Sequence, residues 1–422
     1  MRKLLVYADF DWLKEPMLVG ELSYESLRGT DSYGFRFDEE WLRTQGSLFL
    51  SADLNNYSGV QYTTSGSDIF GCFSDALPDR WGRTLLNRRE QILAQEEKRP
   101  LRRLTSFDYL LGIDDYSRMG GFRFKESADT EFINSTPSLR ISPLTDIREL
   151  EAASKEIEQS EERNELPDKR WIAQLIQPGT SLGGARPKAS VADTDGSLCI
   201  AKFPSRKDDY DAELWEHFCH LLAKRAGITV ADTRVLQTSE TYHTLISRRF
   251  DRTEQGRRIH FASAMTLLGL HDGDNAMNGY GYLDIVDFIV RHCADVEHNL
   301  RELYRRVAFN ICIGNSDDHY RNHGFLLTPK GWTLSPAYDI NPTLSKYQSL
   351  LLTATSNVAD LSLLRDAAED YMLSKEAASN IISEVCDALK DWHPLAAQLG
   401  VSKREIAVFT DRWKLSASHC AK

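Results

Sequence analysis

The stretch Phe309–Leu327, FNICIGNSDDHYRNHGFLL, decides how this chain is read. Asp317 stands five positions before Asn322, and Asp339 follows in SPAYDINPT, residues 335–343. Upstream, Leu300, Leu303, Tyr304, Val307, Ala308 and Ile311 recur at helical spacing, so an amphipathic helix runs into the polar segment, with Gly314 as its stop. Downstream, GFLLT reads as a strand, Pro329–Gly331 as a turn and WTLSPAYD as a second strand. Such a hairpin can return Asp339 to the side of Asp317 and Asn322. Simpler readings compete. Asn315, Asp317 and Asp318 can form an ordinary turn after a helix. An EF-hand loop fails, because no Gly and terminal Glu follow in register. His319 and His323 are four apart, as zinc ligands on a helix would be, but Gly324 follows at once and HExxH is absent.

Phosphoryl transfer asks for three such side chains. One carboxylate orients the attacking hydroxyl, and an amide and a second carboxylate hold Mg²⁺ against the ATP phosphates. Protein kinases carry the first two at D-x-x-x-x-N spacing, with the metal-binding Asp further along. The nucleotide half of such a site lies upstream. Gly179–Val191, GTSLGGARPKASV, has three glycines whose backbone N–H groups can approach phosphate oxygens closely. It is not a Walker A loop, since no Lys directly follows the last Gly. Its G-x-S-x-G, Gly179–Gly183, is the pattern of a hydrolase nucleophile elbow. Pro178 before it, and Gly184 and Pro187 after it, speak against the strand–turn–helix setting that elbow needs. The next strand, SLCIAKFPS, presents Lys202, and the helix AELWEHFCHLLAKRAG offers Glu213 and Glu216 to pair with it.

With these residues in order, the chain resembles the HipA-type serine/threonine kinases, the toxin components of bacterial toxin–antitoxin systems. The resemblance rests on LPDRWGR (Leu77–Arg83), SLGGARPK, AKFPS, RRFDR, RIHFASAMTLLG and IGNSDDHYRNHGFL. It implies that Asp317 is the catalytic carboxylate, that Asn322 and Asp339 bind Mg²⁺, and that Lys202 binds phosphate with Glu216 as its helix partner. It implies ATP held by Gly183, Gly184, Ala185, Arg186, Pro187 and Lys188, by His319, Tyr320, Arg321 and Asn322, and by Tyr338 and Asp339. Arg248, Arg249 and Phe250 match a hinge whose backbone contacts adenine, although the family often has Glu where Arg248 stands. Ser181 matches a serine that family members autophosphorylate, which ejects the phosphate loop and silences the enzyme. The resemblance further implies a protein acceptor, often an aminoacyl-tRNA synthetase, and a helix-turn-helix antitoxin that alone brings the complex to operator DNA.

Composition agrees with this reading without deciding it. A length of 422 residues predicts two to three domains, and a hydrophobic fraction of 41% supports real cores. A net charge of −11 argues against autonomous, nonspecific DNA binding. The basic run Lys98–Arg103, KRPLRR, reads as a solvated face. Seven Cys without a C-x-x-C, among them Cys199, Cys219 and Cys312 within apolar patterns, suit a reducing cytoplasm. FASAMTLLGL is too short for the ~20 residues of a membrane span, and MRKLLVYADF reads as a first strand, not a signal peptide. A cytoplasmic protein with no membrane partner is therefore expected.

The expected fold class is α+β, with a bilobal protein-kinase-like core. An N-terminal α+β subdomain spans 1–153 and a charged helix end plus linker 154–169. A strand-rich nucleotide lobe follows over 170–260 and a helical catalytic lobe over 261–422. The expected activity is that of an ATP- and Mg²⁺-dependent serine/threonine protein kinase. Its rival is a catalytically inert, nucleotide-binding corepressor acting with an antitoxin. Loss of Asp317, Asn322 or Asp339 would have favoured that rival, and all three are present.

Overall fold

A computed structural model of the chain describes residues 1–27, 29–63, 68–135, 141–176, 184–343 and 345–420. They fall into two compact units. One comprises Met1–Lys207 with Ile246–Ala262, the other Asp208–Leu245 with Ser263–Lys422. These units do not follow the boundaries read from sequence. The helix Ala212–Arg225 and the strand Thr233–Leu236 cluster with the C-terminal residues, and the N-terminal region forms one unit with the strands that follow it.

The first unit opens on an antiparallel sheet. Its strands are β1 (Arg2–Ala8), β2 (Met17–Leu27), β3 (Thr30–Phe37), β4 (Gln61–Tyr62) and β5 (Phe122–Lys125), in the order β4-β3-β2-β1-β5. The period of two along β1 sends Leu4, Val6 and Ala8 into the core, where Phe10, Phe35, Phe73 and Phe122 pack. The helix Arg80–Glu96 starts where the Asp79 side chain accepts from Gly82 N at 2.8 Å. Further along it, Glu90 is buried and clamped by Arg99 Nη1 at 2.5 Å and Arg102 Nη2 at 3.1 Å. The run Lys98–Arg103 is thus not simply a solvated face, since two of its arginines are spent on a buried carboxylate.

The helix Ile147–Glu162 buries Leu150, Ala153, Ser154, Ile157 and Ser160. Residues 154–162 thus form the last part of this helix. Beyond it, β6 (Lys188–Ala192) and β7 (Leu198–Lys202) pair antiparallel, with Lys188 opposite Lys202. The strand Thr244–Arg248, whose last residues belong to this unit, flanks β7.

The second unit is mainly helical. Its central helix, Val296–Ile313, is buried at Leu300, Leu303, Tyr304, Val307, Ala308 and Ile311, the positions its periodicity predicts. Trp413, from the helix Lys403–Cys420, donates its indole N–H to Ile313 O at 2.8 Å, satisfying one of the last-turn carbonyls. Trp215, Phe218, Trp392 and Trp413 form an aromatic cluster, with Phe218 and Trp413 stacked at 5.9 Å. Cys199, Cys219 and Cys312 are buried thiols, as their apolar surroundings suggested. Among the described residues no helix is long and apolar enough to cross a membrane.

Candidate active site

In the second unit, the helix Val296–Ile313 closes at Gly314, whose φ of 74° is left-handed and whose N–H bonds to Asn310 O. The chain then turns into Asp317 and Asp318, two carboxylates with opposite surroundings. Asp318 is buried, and its Oδ2 accepts from Tyr282 Oη at 2.7 Å, Asn310 Nδ2 at 2.7 Å and His323 Nε2 at 3.0 Å. Burial alone would raise its carboxyl, but the His323 ring and the three donors outweigh it and hold it below the usual range. Asp317 is exposed. Even so, the packing around its base partly desolvates it and pushes its carboxyl up, with Asp339 and Asp318 adding to the rise and His319 opposing it.

Asn322 sits on the short turn Tyr320–Asn322. Its Nδ2 donates to Asp317 O at 3.0 Å. Its Oδ1 is buried and has no hydrogen-bond partner among the described residues. A carbonyl can accept only from the NH₂ end of an amide, so this contact fixes which end is left over. Tyr320 Oη lies 2.8 Å from Gly281 O and 2.7 Å from Asp284 Oδ2, which ties the loop to the start of the helix Tyr282–His292. Arg321 reaches Asp272 at 3.2 Å on the surface.

The strands Gly324–Thr328 and Gly331–Leu334 form the expected hairpin, with Phe325 opposite Leu334. Beyond it, Arg306 Nη2 holds Ser335 O at 2.7 Å. Ala337 donates to Thr229 O at 2.8 Å and accepts from Ala231 N at 3.0 Å. These bonds steer the chain into Asp339, whose φ of 56° lies in the left-handed region that Asp tolerates better than most residues. Tyr338 Oη returns to Arg321 O at 2.5 Å. Asn341 Nδ2 lies 3.4 Å from both Asp339 Oδ1 and Glu216 Oε2, which links the helix Ala212–Arg225 to the Asp339 turn. Asp317, Asn322, Tyr338, Asp339 and Glu216 thus share one neighbourhood within the second unit.

The remaining predicted residues lie in the first unit. Lys188 and Lys202 are buried neighbours across the hairpin β6–β7. Like charges placed opposite each other repel. Asp79 of the LPDRWGR phrase answers this with a contact to Lys188 Nζ at 3.0 Å, while Trp81 Nε1 donates to Lys188 O at 3.0 Å. Gly184, at φ 83°, begins the described part of the loop, and Arg186 and Pro187 lead into β6. Gly183 and Ser181 lie outside the described residues.

The hinge phrase is a structural lock on its side-chain side. Arg249 pairs with Asp251 through Nε at 2.8 Å and Nη2 at 2.6 Å, and its Nη1 donates to Ser117 O at 2.5 Å. Arg252 and Gly120 N also converge on Asp251 Oδ2, at 2.6 and 2.9 Å. The Arg249 amide is committed to Leu198 O at 2.9 Å, so its N–H is not available as a hinge donor. Arg248 is exposed and reaches Asp195 at 3.4 Å. Phe250 packs toward Phe261 at 5.9 Å.

Sequence reasoning missed the anchors of this architecture: Tyr282, Asn310 and Asp318 for the loop, Asn341 for Asp339, and Asp79 for Lys188. The Asp-Asp doublet was the one local signal, since a second carboxylate beside the first invites a different role for each. His323 Nε2 lies 3.0 Å from Asp318 Oδ2. Among the described residues no three His, Cys, Asp or Glu side chains gather as a metal site.

Comparison with known proteins places the chain. The HipA N-terminal domain profile matches residues 12–107, and the HipA-like C-terminal domain profile matches residues 180–393. The serine/threonine-protein kinase toxin HipA of Shewanella oneidensis is 20% identical over 351 residues, covering 77% of this chain and 72% of that protein. A putative kinase of Haemophilus influenzae is 25% identical over 214 residues, covering 44% of this chain and 62% of that protein. The solved complex of Shewanella oneidensis HipA with HipB and operator DNA superposes with a TM-score of 0.66 at 15% identity, over 99% of this chain and 96% of that one, and so shares its α+β kinase-like fold. With both profiles in order and the C-terminal one spanning half of the sequence, the chain belongs to the HipA family.

Proposed function

We propose that the chain is an ATP- and Mg²⁺-dependent serine/threonine kinase of HipA type, a toxin that phosphorylates a protein acceptor. One observation carries the reading. An exposed carboxylate with raised proton affinity, Asp317, stands over a carbonyl that holds Asn322, whose buried Oδ1 is left without a partner among the described residues, beside the Asp339 turn. An amide oxygen and a carboxylate are hard oxygen donors of the kind Mg²⁺ takes one or two of, alongside substrate phosphates. Asn322 and Asp339 would hold the ion, which supplies positive charge against the phosphate oxygens.

The chain's own residues do the rest by positioning. Lys202 would face phosphate, and within the second unit Glu216 is linked to Asp339 through Asn341. Asp317 orients the acceptor hydroxyl and takes its proton as the acceptor oxygen bonds to the γ-phosphorus and the bond to the β-phosphate oxygen breaks. Loop residues 184–188, His319–Asn322, Tyr338 and the hinge 248–250 would line the nucleotide, and phosphorylation of Ser181 would silence the site. A helix-turn-helix antitoxin is the proposed partner, by analogy with the HipB complex of the Shewanella protein, and DNA is reached through it.

The test is transfer from [γ-³²P]ATP with Mg²⁺ to the protein itself or to a cell extract. Wild type labels, and Asp317→Asn does not while still binding ATP. Labelling of the variant at the wild-type rate would refute the assignment. Mg–ATP binding without any transfer by wild type would leave the inert nucleotide-binding corepressor.

A further inference from the structure

The chain after Asp339 comes back to the stem of the Asp317 loop at two points, both in the second unit. Thr343 N and Thr343 Oγ1 both reach Gly314 O, at 2.9 and 2.7 Å. Ser316 Oγ and Thr343 Oγ1 are 2.5 Å apart. Ser349 N and Ser349 Oγ both reach Ser316 O, at 3.0 and 2.8 Å. The protons can be placed. Thr343 Oγ–H is spent on the Gly314 carbonyl, which has no proton of its own, so Ser316 Oγ–H must donate to Thr343. The result is a directed chain, Ser316 hydroxyl to Thr343 hydroxyl to Gly314 carbonyl, in which each bond polarises the next.

Ser316 O belongs to the peptide that carries Asp317 N. Two donors from Ser349 fix that peptide plane, and two from Thr343 fix the plane two residues earlier. Asp317, by contrast, has an exposed side chain, and its own carbonyl accepts from His319 N and Asn322 Nδ2 on the far side of the loop. The direction of the Asp317 carboxylate is therefore set from the Thr343 and Ser349 side as much as from the Asp318 anchor.

We propose that Thr343 and Ser349 are positioning residues for phosphoryl transfer, acting through Gly314 and Ser316 on the orientation of Asp317 and not on the nucleotide. This rests on the kinase reading. Because the bonds restrain the base and not the phosphates, their loss lowers kcat and spares ATP binding.

The experiment compares full-length wild type, Thr343→Val, Thr343→Ser, Ser349→Ala and, as a control on the exposed part of the same segment, Lys346→Ala. Transfer from Mg–ATP should fall about tenfold in kcat in Thr343→Val and Ser349→Ala, with KM for ATP within about twofold, as expected for misplacement of a reacting group. Thr343→Ser keeps the hydroxyl and should recover the wild-type rate, and Lys346→Ala should match wild type. Equal rates in Thr343→Val and wild type would overturn the proposal. So would a Thr343→Ser variant as impaired as Thr343→Val, since it keeps the hydroxyl on which the argument rests. Amide hydrogen exchange separates this inference from the activity itself. Residues 315–318 should exchange faster in Thr343→Val than in wild type and Thr343→Ser. Transfer-dead wild type with that exchange pattern would reject the kinase reading alone, whereas unchanged exchange would reject the anchoring.

Discussion

Replacing Asp318 with Ala tests the anchor beneath the candidate active site. One oxygen of this buried carboxylate receives Tyr282 Oη, Asn310 Nδ2 and His323 Nε2 at 2.7, 2.7 and 3.0 Å. Ala removes the acceptor and leaves three donors stranded. Each buried donor without a partner costs about 1–3 kcal/mol. The space vacated by the carboxylate admits some relaxation, so the three costs do not add in full. The expected loss is therefore about 4 kcal/mol. Asp318→Asn keeps the shape and one oxygen, which can serve two of the three donors, so about 2 kcal/mol is expected. The assay is urea unfolding read from the tryptophans of the second unit, Trp392 and Trp413, whose rings lie 4.5 Å apart. The midpoint should fall with the slope unchanged, and Ala should be worse than Asn. An Asp318→Ala protein within about 1 kcal/mol of wild type would refute the claim that this carboxylate organises the loop.

Three further outcomes follow from buried polar groups. Glu90, held down to about 2 by Arg99 and Arg102, stabilises the native state above the ordinary Glu value of about 4.3 and loses that contribution as pH falls through the folded value. Glu90→Gln should cost about 2 kcal/mol at pH 7, less than the full shift implies because Arg102 is 64% exposed and screened. The gap to wild type should close by about pH 2, and an equal gap at both pH values would contradict the assignment. Asp251→Ala strands Arg249 and Arg252 in a fully buried cluster, so the first unit should lose about 3–5 kcal/mol in chemical denaturation, and a loss below about 1 kcal/mol would show that water reaches these guanidinium groups. Gln348 is buried with neither amide atom hydrogen-bonded among the described residues, so Gln348→Met should raise stability by about 1 kcal/mol in a thermal melt, whereas a drop of that size would mean that the amide has a partner in solution.

What the sequence disclosed was local. The apolar spacing from Leu300 to Ile311, the Gly314 stop and the hairpin before Asp339 all depend on neighbours within a few residues, and the structure has each of them. What it concealed depends on distant partners. Nothing near Glu90 announces Arg99 and Arg102, nine and twelve residues on and outside any helical register. RRFDR reads equally well as a hinge or as a salt-bridge cluster until Ser117, 132 residues away, is seen to accept from Arg249. The helix Ile147–Glu162 also buries Ser154 and Ser160, residues that carry no hydrophobic signal.

The Asp317–Asp318 doublet shows why residue type alone could not divide the labour. The same side chain at adjacent positions becomes a buried, ionised anchor at Asp318 and an exposed carboxylate of raised proton affinity at Asp317. The two are coupled, because the charge that Tyr282, Asn310 and His323 hold on Asp318 is one of the charges that raise Asp317. The hairpin β6–β7 solves a mirror problem with the opposite sign. Lys188 and Lys202 stand opposite each other, and Asp79 matches the charge on Lys188 at 3.0 Å. Repulsion across the strands is thereby offset. The LPDRWGR phrase thereby acquires a physical role, since its Asp caps the helix Arg80–Glu96 with one oxygen and neutralises Lys188 with the other. A change at Asp79 would therefore act on the hairpin β6–β7 through Lys188.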